Sequence, residues 1–457
     1  MRAGKQNEKD HFGRYTDAEI FLIIKNNKKV EDLIMKLILL CGGGGKRLWP
    51  VSNKVHSKQF VQLFDNGIDG YRSMLERVIS EIHSIDPEMS VTIAAGRVQT
   101  EEVRSQLGYD VRLTEEPVRK NTFPAISLAA SYLRDHDKVD PHEPVVIFSV
   151  DSYADRSFYE SLFRLAEIVE SGRSNLVLMG IEPSGPSEKY GYIIPSSPDM
   201  ISDVKEFREK PDIETAKQYI AQNALWNAGV FACRLEYLLK RAERVFGNAS
   251  YNYLLMHYPE LKAISFDYAV VEKEPSIAVL RYHGTWADAG EWNNLASLLN
   301  NGDVGQTVRD DTCENTLIVN HLDLPVLAIG AKNLIIAAGR DGILVCDKQK
   351  ASSLTDYVDQ VWFEPRVIGK RYGGKEVLYR NETSETSLLT VKAGASVTIK
   401  TSLGVRKTLT VLHGAGEMLK PGTIFTIQDG EKWQINADTD IELIETMIEF
   451  EIEPEAE

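Results

Sequence analysis

The stretch that decides the fold occupies residues 37–50 and reads Leu-Ile-Leu-Leu-Cys-Gly-Gly-Gly-Gly-Lys-Arg-Leu-Trp-Pro. It begins as an apolar run of the length that suits a fully buried strand. Four glycines follow, which adopt positive φ at little cost and carry no side chain that would hold a ligand away. The cations Lys46 and Arg47 come next. This order predicts a phosphate cradle; the alternative is a glycine-rich turn with solvated charges.

A second segment, Ser-Lys-Gln-Phe at residues 57–60, follows after a short polar stretch and favours the phosphate interpretation. The loop is not a Walker motif, because no Gly-Lys-Ser/Thr closes it, and its glycine spacing differs from the dinucleotide-binding fingerprint. Together the two segments resemble the signature of the sugar-phosphate nucleotidyltransferases. Their Trp-Pro and Lys-Gln-Phe point to the mannose-1-phosphate guanylyltransferase branch of that family.

Bulk properties restrict the class of protein. The 457 residues include 52 Lys and Arg against 67 Asp and Glu, a formal net charge of −15, which argues against a general nucleic-acid binder. No apolar run approaches the roughly 18 residues that a membrane span needs, and we predict no signal peptide. The four cysteines are far apart, without zinc spacing, and three lie in apolar runs that suit buried thiols. We therefore expect a cytoplasmic protein without membrane or nucleic-acid partners.

The pattern of apolar runs predicts an α/β fold from residue 37 to about 300. Strand-like runs begin at Val91, Val145 and Leu176, and helical spacing occurs at residues 74–82 and 125–133. Alternating strands and helices imply a largely parallel, doubly wound sheet. The family resemblance implies, more specifically, a Rossmann-like mixed sheet of the nucleotide-diphospho-sugar transferase type. In such sheets ligands bind at the carboxyl ends of strands, where the glycine loop and Asp151 fall.

We divide the chain into four parts. Residues 1–34 are either a true extension, with one short helix over 15–34, or the result of an upstream translation start, and we expect them to be dispensable. Residues 35–300 form the nucleotidyltransferase domain. Residues 301–360 are a β-rich connecting segment, a coil of β turns, and residues 361–457 are a second all-β domain.

The resemblance implies attack of a sugar 1-phosphate on the α-phosphorus of a nucleoside triphosphate, with release of pyrophosphate. Such a reaction depends on cations and alignment more than on an acid or base. Arg47 and Lys58 are the predicted catalytic cations, since an Arg fork and a Lys point charge both suit phosphate oxygens. Gly42, Gly43 and Gly45 are the predicted nucleotide-binding glycines. Either cation taken alone would be interpreted as a solvated surface charge.

Two aspartates are the predicted Mg²⁺ ligands. Asp151 follows the strand that begins at Val145, and Asp288 lies in Trp-Ala-Asp-Ala-Gly-Glu-Trp at residues 286–292, which resembles the family's Trp-x-Asp-x-Gly-x-Trp. Mg²⁺ takes one or two carboxylates together with substrate phosphates and waters. The alternative for Asp151 is a helix N-cap.

Sugar-phosphate binding is assigned by three further motifs. Phe-Arg-Glu-Lys-Pro at residues 207–211 resembles the family's Phe-x-Glu-Lys-Pro, which implies that Glu209 holds sugar hydroxyls and Lys210 pairs with the sugar phosphate. Tyr-Gly-Tyr-Ile at 190–193 places Gly191 where a sugar needs room. Trp-Asn-Ala-Gly at 226–229 provides Asn227 as a hydrogen-bonding group. The block Ser-Phe-Asp-Tyr-Ala-Val at 265–270 also resembles the family and is interpreted as largely structural.

The nucleotide border is assigned to Glu116 and Asn121. Their motifs resemble the family's Glu-Pro and Arg-Asn-Thr-Ala-Pro-Ala-Ile. The alternative is a helix start with Thr122 as N-cap and Pro124 in the first turn.

The chain departs from the family pattern at four positions. Ser57 replaces a usual Pro, Asn53 and Lys120 replace usual Arg residues, and Ser152 replaces a usual His. None removes a proposed phosphate or metal group. The departures leave the sugar open, and to a lesser degree the base.

The carboxyl-terminal domain resembles the cupin that is fused to bifunctional guanylyltransferase/phosphomannose isomerases, a domain that binds metal through His, Gln and Glu. Lys400, Ser402, Lys407 and Trp433 stand near the expected ligand positions. We therefore expect a degenerate cupin without a metal. Its β fold would be kept for packing or for contacts between copies in a homo-oligomer.

The resemblance implies a Mg²⁺-dependent transfer from GTP to α-D-mannose 1-phosphate, giving GDP-mannose and pyrophosphate. Two alternatives stay open. One is the same chemistry on another sugar 1-phosphate, such as a heptose phosphate, and the other is a non-catalytic paralogue that binds nucleotide sugars.

Overall fold

A computed structural model describes residues 34–67, 70–299, 302–361, 365–370 and 372–450. No helix within these ranges is long and apolar enough to cross a membrane. The strands are β1 (Lys36–Leu40), β2 (Phe64–Asp65), β3 (Tyr71–Arg72), β4 (Val91–Gly96), β5 (Arg112–Glu116), β6 (Pro144–Ser149), β7 (Ser152–Ala154), β8 (Leu176–Ile181), β9 (Tyr192–Pro195), β10 (Ile201–Arg208), β11 (Leu225–Arg234), β12 (Ile277–Tyr282), β13 (Trp286–Asp288), β14 (Thr307–Arg309), β15 (Leu317–Asn320), β16 (Val326–Ala328), β17 (Leu334–Gly339), β18 (Gly342–Asp347), β19 (Val367–Lys370), β20 (Gly373–Arg380), β21 (Ser384–Val391), β22 (Ser396–Lys400), β23 (Val405–His413), β24 (Ile424–Gln428), β25 (Lys432–Asn436) and β26 (Ile441–Glu449).

Helices connect these strands, mainly in the first two thirds of the chain. The α-helices are Met74–Ile85, Thr100–Leu107, Thr122–Asp135, Arg156–Glu170, Ile213–Ile220, Leu235–Phe246, Tyr251–Met256, Phe266–Ala269, Trp292–Leu298 and Leu354–Val361. Short 3₁₀ helices are Lys58–Phe60, Arg97–Gln99, Tyr258–Glu260, Val271–Lys273 and Lys348–Ser353. The helices predicted over 74–82 and 125–133 are both present. The helix predicted over 15–34 lies outside the described residues, apart from Ile34, which is not helical.

The chain forms two compact units. The first contains the described residues up to 41 together with 78–96 and 112–286. The second contains 42–77, 97–111 and the described residues from 287 onward. The glycine loop therefore belongs to the same unit as the carboxyl-terminal β region. The domain limits drawn from the sequence stay a prediction.

The first unit is built on a nine-stranded sheet in the order β5-β4-β1-β6-β11-β8-β12-β10-β9. Strand β1 is parallel to β4 and β6, β4 is parallel to β5, and β8 is parallel to β12. The long strand β11 runs antiparallel to β6, β8 and β9, and β10 is antiparallel to β9 and β12. This is the mixed α/β sheet that the resemblance implied.

Helices cover both faces of this sheet. Ile38 and Ile147 pack in one core with the helices Thr122–Asp135 and Leu235–Phe246. On the other face, the Phe148 ring meets Phe158 of the helix Arg156–Glu170 edge to face, with centroids 6.2 Å apart. Residues 37–40 of β1 and 145–148 of β6 are apolar and buried, as expected for central strands with both faces covered. Packing on both faces holds β1 and β6 in place, and the glycine loop and Asp151 follow the carboxyl ends of these two strands.

In the second unit, residues 302–347 form a coil of short strands, as the even spacing of apolar runs predicts. β14 pairs in parallel with β16, and β15 pairs in parallel with β17. Leu317 lies beside Ile335, 18 residues later, and Thr307 lies beside Val326, 19 residues later. β18 then turns back antiparallel on β17.

The carboxyl-terminal region is all β, as predicted. One sheet has the order β19-β20-β21-β26-β23-β24, and β22 pairs with β25. An apolar core lies between them and includes Leu389, Leu409, Ile435 and Leu443. The alternation of apolar and polar residues is what places these side chains on one face.

Side chains at the four expected cupin ligand positions are engaged otherwise or face solvent. Lys407 is paired with the buried Glu445, with Nζ 2.9 Å from Oε1. The ring of Trp433 packs on Phe425 with centroids 3.7 Å apart. Lys400 and Ser402 are exposed.

Candidate active site

The glycine loop is held by side chains from two other segments. Gln99, from the 3₁₀ turn after β4, donates through Nε2 to the Gly43 carbonyl at 3.0 Å and to Ser57 Oγ at 2.5 Å. Gln99 and Ser57 are buried. Ser57, which stands where the family has Pro, therefore uses its hydroxyl to join the loop to the Lys58 segment.

The other end of the loop rests on the residues that follow it. Gly45 has φ +66°, and a Cβ there would overlap the backbone carbonyl of Asn53, so only glycine fits. Ser52 Oγ donates to the Gly45 carbonyl. In a trans peptide the N–H points opposite to the C=O. Because the carbonyls of Gly43 and Gly45 point toward Gln99 and Ser52, the N–H groups of Gly44 and Lys46 point away from those two side chains. This orientation suits an anion cradle. Gly42 and Gly44 are exposed.

Lys58 and Asp288 lie together in the second unit. Lys58 Nζ is 3.9 Å from Asp288 Oδ1, and the Lys58 side chain is only 11% exposed. The Gly290 amide donates to the same Oδ1 at 2.7 Å. A Cβ on Gly290 would overlap Lys58 Nζ, so the glycine leaves the space that the ammonium group occupies.

Arg47 is the more exposed of the two predicted catalytic cations. Its side chain is 56% exposed, and NH1 lies 3.9 Å from Glu291 Oε1. An exposed surface ion pair of this kind contributes little to stability, so Arg47 can reorient toward a ligand at small cost. The neighbouring Lys46 is paired with Asp359 of the helix Leu354–Val361.

Asp151 lies in the first unit, two residues beyond β6. Its Oδ1 accepts a hydrogen bond from Ser149 Oγ. The alternative assignment of Asp151 as a helix N-cap is wrong, because Asp155 caps the helix Arg156–Glu170 by accepting from the Ser157 amide at 2.9 Å. Burial opposes ionisation of Asp155, but hydrogen bonds from Ser157, Tyr282 and Thr285 outweigh it and lower its pKa to about 2.

Gly191 and Glu209 form the centre of the predicted sugar-phosphate group. A Cβ on Gly191 would lie 2.5 Å from Glu209 Oε2 and 3.0 Å from Phe207 Cζ. The glycine thus makes room for the Glu209 carboxylate, a role that the sequence did not predict. The Glu209 amide donates to Glu272 Oε1 at 3.2 Å.

Lys210 extends from a strained backbone. It has φ +44°, which few residues other than glycine adopt and which costs on the order of 1–3 kcal/mol. Its side chain is 55% exposed, and Nζ lies 3.1 Å from Glu209 Oε1. The cation is therefore accessible and its charge is partly offset by one neighbouring carboxylate.

Asn227, at the bulge of strand β11, takes part in three hydrogen bonds. Its backbone N–H donates to the Gly191 carbonyl at 2.8 Å, and its side-chain Oδ1 accepts from the backbone N–H of Gly229 at 3.1 Å. Its Nδ2 donates to Asp267 Oδ1 at 2.9 Å. Burial and the nearby charge of Glu209 raise the pKa of Asp267 to about 7.

Glu116 and Asn121 make contacts within the first unit. Tyr258 donates to Glu116 Oε2 at 2.8 Å, and burial raises the pKa of Glu116. Asn121 has φ +72° and caps the helix Thr122–Asp135, accepting from the Thr122 amide at 2.9 Å. The assignment of Thr122 as N-cap is therefore wrong. Thr122 Oγ1 instead accepts from the Phe266 amide at 2.8 Å.

Comparison with known proteins assigns the region that contains these groups to a family. The family model described as nucleotidyl transferase matches residues 36–302, more than half of the chain. The chain belongs to the nucleotidyl transferase family.

Similar proteins extend the match of this nucleotidyl transferase beyond the family model. Mannose-1-phosphate guanylyltransferase RfbM of Salmonella typhimurium is 27% identical over 438 residues, covering 88% of this chain and 89% of the relative. A mannose-1-phosphate guanylyltransferase of Klebsiella pneumoniae is 26% identical, covering 86% and 89%. A solved structure titled mannose-1-phosphate geranyltransferase, from Thermus thermophilus, is 26% identical with a TM-score of 0.61, covering 72% of this chain and 99% of that one.

The two predicted metal ligands of this nucleotidyl transferase have suitable chemistry. Asp151 and Asp288 are partly exposed carboxylates, the hard oxygen donors that Mg²⁺ prefers. The described residues contain no group of three or more His, Cys, Asp and Glu side chains that could hold a metal. A Mg²⁺ ion that takes much of its coordination from substrate phosphates and water needs no such group, so the residues fit this ion.

Three positions that hold predicted site residues in place were not predicted from the sequence. Gln99 and Ser52 anchor the glycine loop, and Asp267 holds Asn227. No motif marks Gln99, since its role depends on the packing of a distant turn. Asp267 lies in a block whose resemblance to the family was noted and interpreted as largely structural.

Proposed function

We propose that this nucleotidyl transferase moves the guanylyl group of GTP to α-D-mannose 1-phosphate. An oxygen of the sugar phosphate attacks the α-phosphorus, the bond between that phosphorus and the α–β bridging oxygen breaks, and pyrophosphate leaves with the electron pair. The observation that carries this proposal is the anchored glycine loop beside Lys58 and Asp288. The names and coverage of the relatives support GTP and mannose 1-phosphate as the substrates.

The residues of this chain contribute mainly charge and alignment. The loop amides and Arg47 would bind triphosphate oxygens, and the nearly buried Lys58 would stabilise charge that develops on the phosphates. Lys210 would pair with the sugar phosphate while Glu209 and Asn227 hold hydroxyl groups. Asp151 and Asp288 would hold Mg²⁺, which when bound offsets phosphate charge.

The test is release of pyrophosphate from GTP, ATP, UTP or dTTP with mannose, glucose or heptose 1-phosphate. We expect the highest kcat/KM for GTP with mannose 1-phosphate. A higher value for a heptose phosphate would move the assignment to another sugar. No pyrophosphate release with any pair, combined with tight binding of a nucleotide sugar, would indicate a non-catalytic paralogue.

We infer a cytoplasmic location as part of the same proposal. Among the described residues no cysteine forms a disulfide, as is usual in a reducing compartment.

A further inference from the structure

Asn53, which stands where the family has an Arg, is tied to a residue far along the chain. Its side chain is nearly buried, and Nδ2 donates to Asp341 Oδ2 at 2.8 Å. Its Oδ1 accepts from the amides of Val55 and His56 at 2.9 and 2.8 Å. Asn53 therefore uses both ends of its amide group, one locally and one on Asp341.

The position of Asn53 determines the position of the glycine loop. Gly45 lies directly against the Asn53 carbonyl, with no room for a Cβ between them. Ser52, the preceding residue, holds the Gly45 carbonyl. A shift of residues 52–53 would therefore move the last glycine and the amide that follows it.

Asp341 lies in the tight turn between β17 and β18. Its Oδ1 accepts from the backbone amide of Arg366 at 2.9 Å. Arg366 directly precedes β19, the first strand of the carboxyl-terminal β region. A Cβ on Gly342 would lie 2.6 Å from the Trp49 ring, and one on Gly339 would lie 2.8 Å from the Pro50 carbonyl. The turn thus fits closely against the residues that end the signature stretch.

A second contact joins the signature stretch to the helix that precedes the carboxyl-terminal region. Lys46, the first cation after the glycines, pairs with Asp359 of the helix Leu354–Val361. Both side chains are substantially exposed, so this pair contributes less than the buried contact of Asn53. The two contacts lie on either side of Arg47 in sequence.

We propose that Asp341 is a positioning residue for the phosphate-binding loop, acting through Asn53, and that the β17–β18 turn and the start of the carboxyl-terminal region set the affinity for the nucleoside triphosphate. The proposal rests on the proposed function for the identity of the substrate. In this proposal the carboxyl-terminal β region supports nucleotide binding, a role for which it needs neither a metal site nor a second enzymatic activity.

The test exchanges the two hydrogen-bonding partners. Asn53→Asp alone places two carboxylates next to each other. Asp341→Asn alone leaves one acceptor oxygen for two donors, so its NH2 group must face either the Asn53 NH2 group or the Arg366 amide. The double variant Asn53→Asp/Asp341→Asn restores one donor facing one acceptor. It also keeps the acceptors for Val55, His56 and Arg366. Rescue by this exchange separates a specific contact from general damage to the fold.

We expect each single variant to raise KM for GTP about tenfold and the double variant to return it to within about twofold of wild type. KM for mannose 1-phosphate should stay unchanged. The matched control is Asp323→Asn, which breaks an ion pair to Arg340 beside the same turn and should change neither KM. A double variant no better than the singles, or an equal rise in both KM values, would overturn the proposal.

Binding measurements test the positioning role of Asp341 without assuming which substrates the enzyme turns over. Calorimetry with GTP and with inorganic pyrophosphate needs no turnover. If GTP is not the substrate, the same pattern should appear with the nucleotide that the pyrophosphate screen selects, or with pyrophosphate itself. Equal affinities of wild type and single variants for these ligands would refute the positioning role, as would failure of the wild type to bind any of them.

Discussion

Lys58 Nζ lies 3.9 Å from Asp288 Oδ1, and the glycine at 290 leaves the space that the ammonium group occupies. A predicted phosphate cation and a predicted metal ligand are thus neighbours within one compact unit. This separation is longer than a hydrogen bond and is that of a close ion pair.

The carboxylates of Asp151 and Asp288 should be essential for turnover. Changing either one to Asn removes a charge that Mg²⁺ requires while keeping the size of the side chain. We expect kcat to fall at least about a hundredfold with the melting temperature nearly unchanged. Exposed Asp110→Asn is the control. Wild-type rates for both variants across a Mg²⁺ titration would show that the metal is held elsewhere.

Arg47 and Lys210 should affect different kinetic constants. Arg47→Ala removes a cation aimed at the triphosphate in the transition state, so kcat should fall about a hundredfold. Lys210→Ala should chiefly raise KM for the sugar phosphate, by about tenfold. Lys205→Ala, an exposed lysine of β10, serves as the control. The reverse pattern would mean that the two phosphate groups are exchanged in our assignment.

Gly191→Ala should disturb the Glu209 carboxylate. The new Cβ would lie 2.5 Å from Glu209 Oε2, so the carboxylate must move. We expect destabilisation of about 1–3 kcal/mol and a raised KM for the sugar phosphate. Gly185→Ala is matched, since a Cβ there meets nothing within 4 Å. Equal stability of the two variants in urea unfolding would contradict the packing argument.

Asp267 should make stability depend on pH. Burial and Glu209 raise its pKa from 3.8 to about 7. Between these values the folded state holds a proton that the unfolded state has lost, so this group's contribution to the free energy of unfolding falls as the pH rises from about 4 to about 7. Asp267→Asn keeps an acceptor for Asn227 and should be about 1–2 kcal/mol more stable than wild type at pH 8. Unfolding curves of both proteins at pH 5 and pH 8 test this. If the difference in stability between the variant and wild type is the same at both pH values, the prediction is refuted.

The carboxyl-terminal region should not isomerise mannose 6-phosphate. That reaction needs a metal to polarise a carbonyl group, and the cation of Lys407 is paired with the buried Glu445 near the place where a ligand would be needed. Conversion to fructose 6-phosphate with added Zn²⁺, Co²⁺ or Mn²⁺ is the measurement. Metal-dependent turnover that is lost when residues 361–457 are removed would show that this region has been misinterpreted.

The sequence by itself determined the classes of element and the types of chemical group. Apolar runs marked β1, β4, β6 and β8, because strands buried on both faces must be apolar throughout. The region from residue 361 onward was predicted to be all β, and the described part of it confirms this except for the last residue of the helix Leu354–Val361. Local signals of this kind need no knowledge of what packs against them.

Only the tertiary structure decided which residues hold the functional groups in place. Gln99, Asp267 and Asp341 act on groups that lie 40 to 288 residues away in the chain, and no local pattern records such a contact. The role of Gly191 was also decided by packing, because the space that its missing side chain leaves is filled by Glu209. Hydrogen bonds and close approach depend on positions in three dimensions, which the order of residues specifies only through the complete fold.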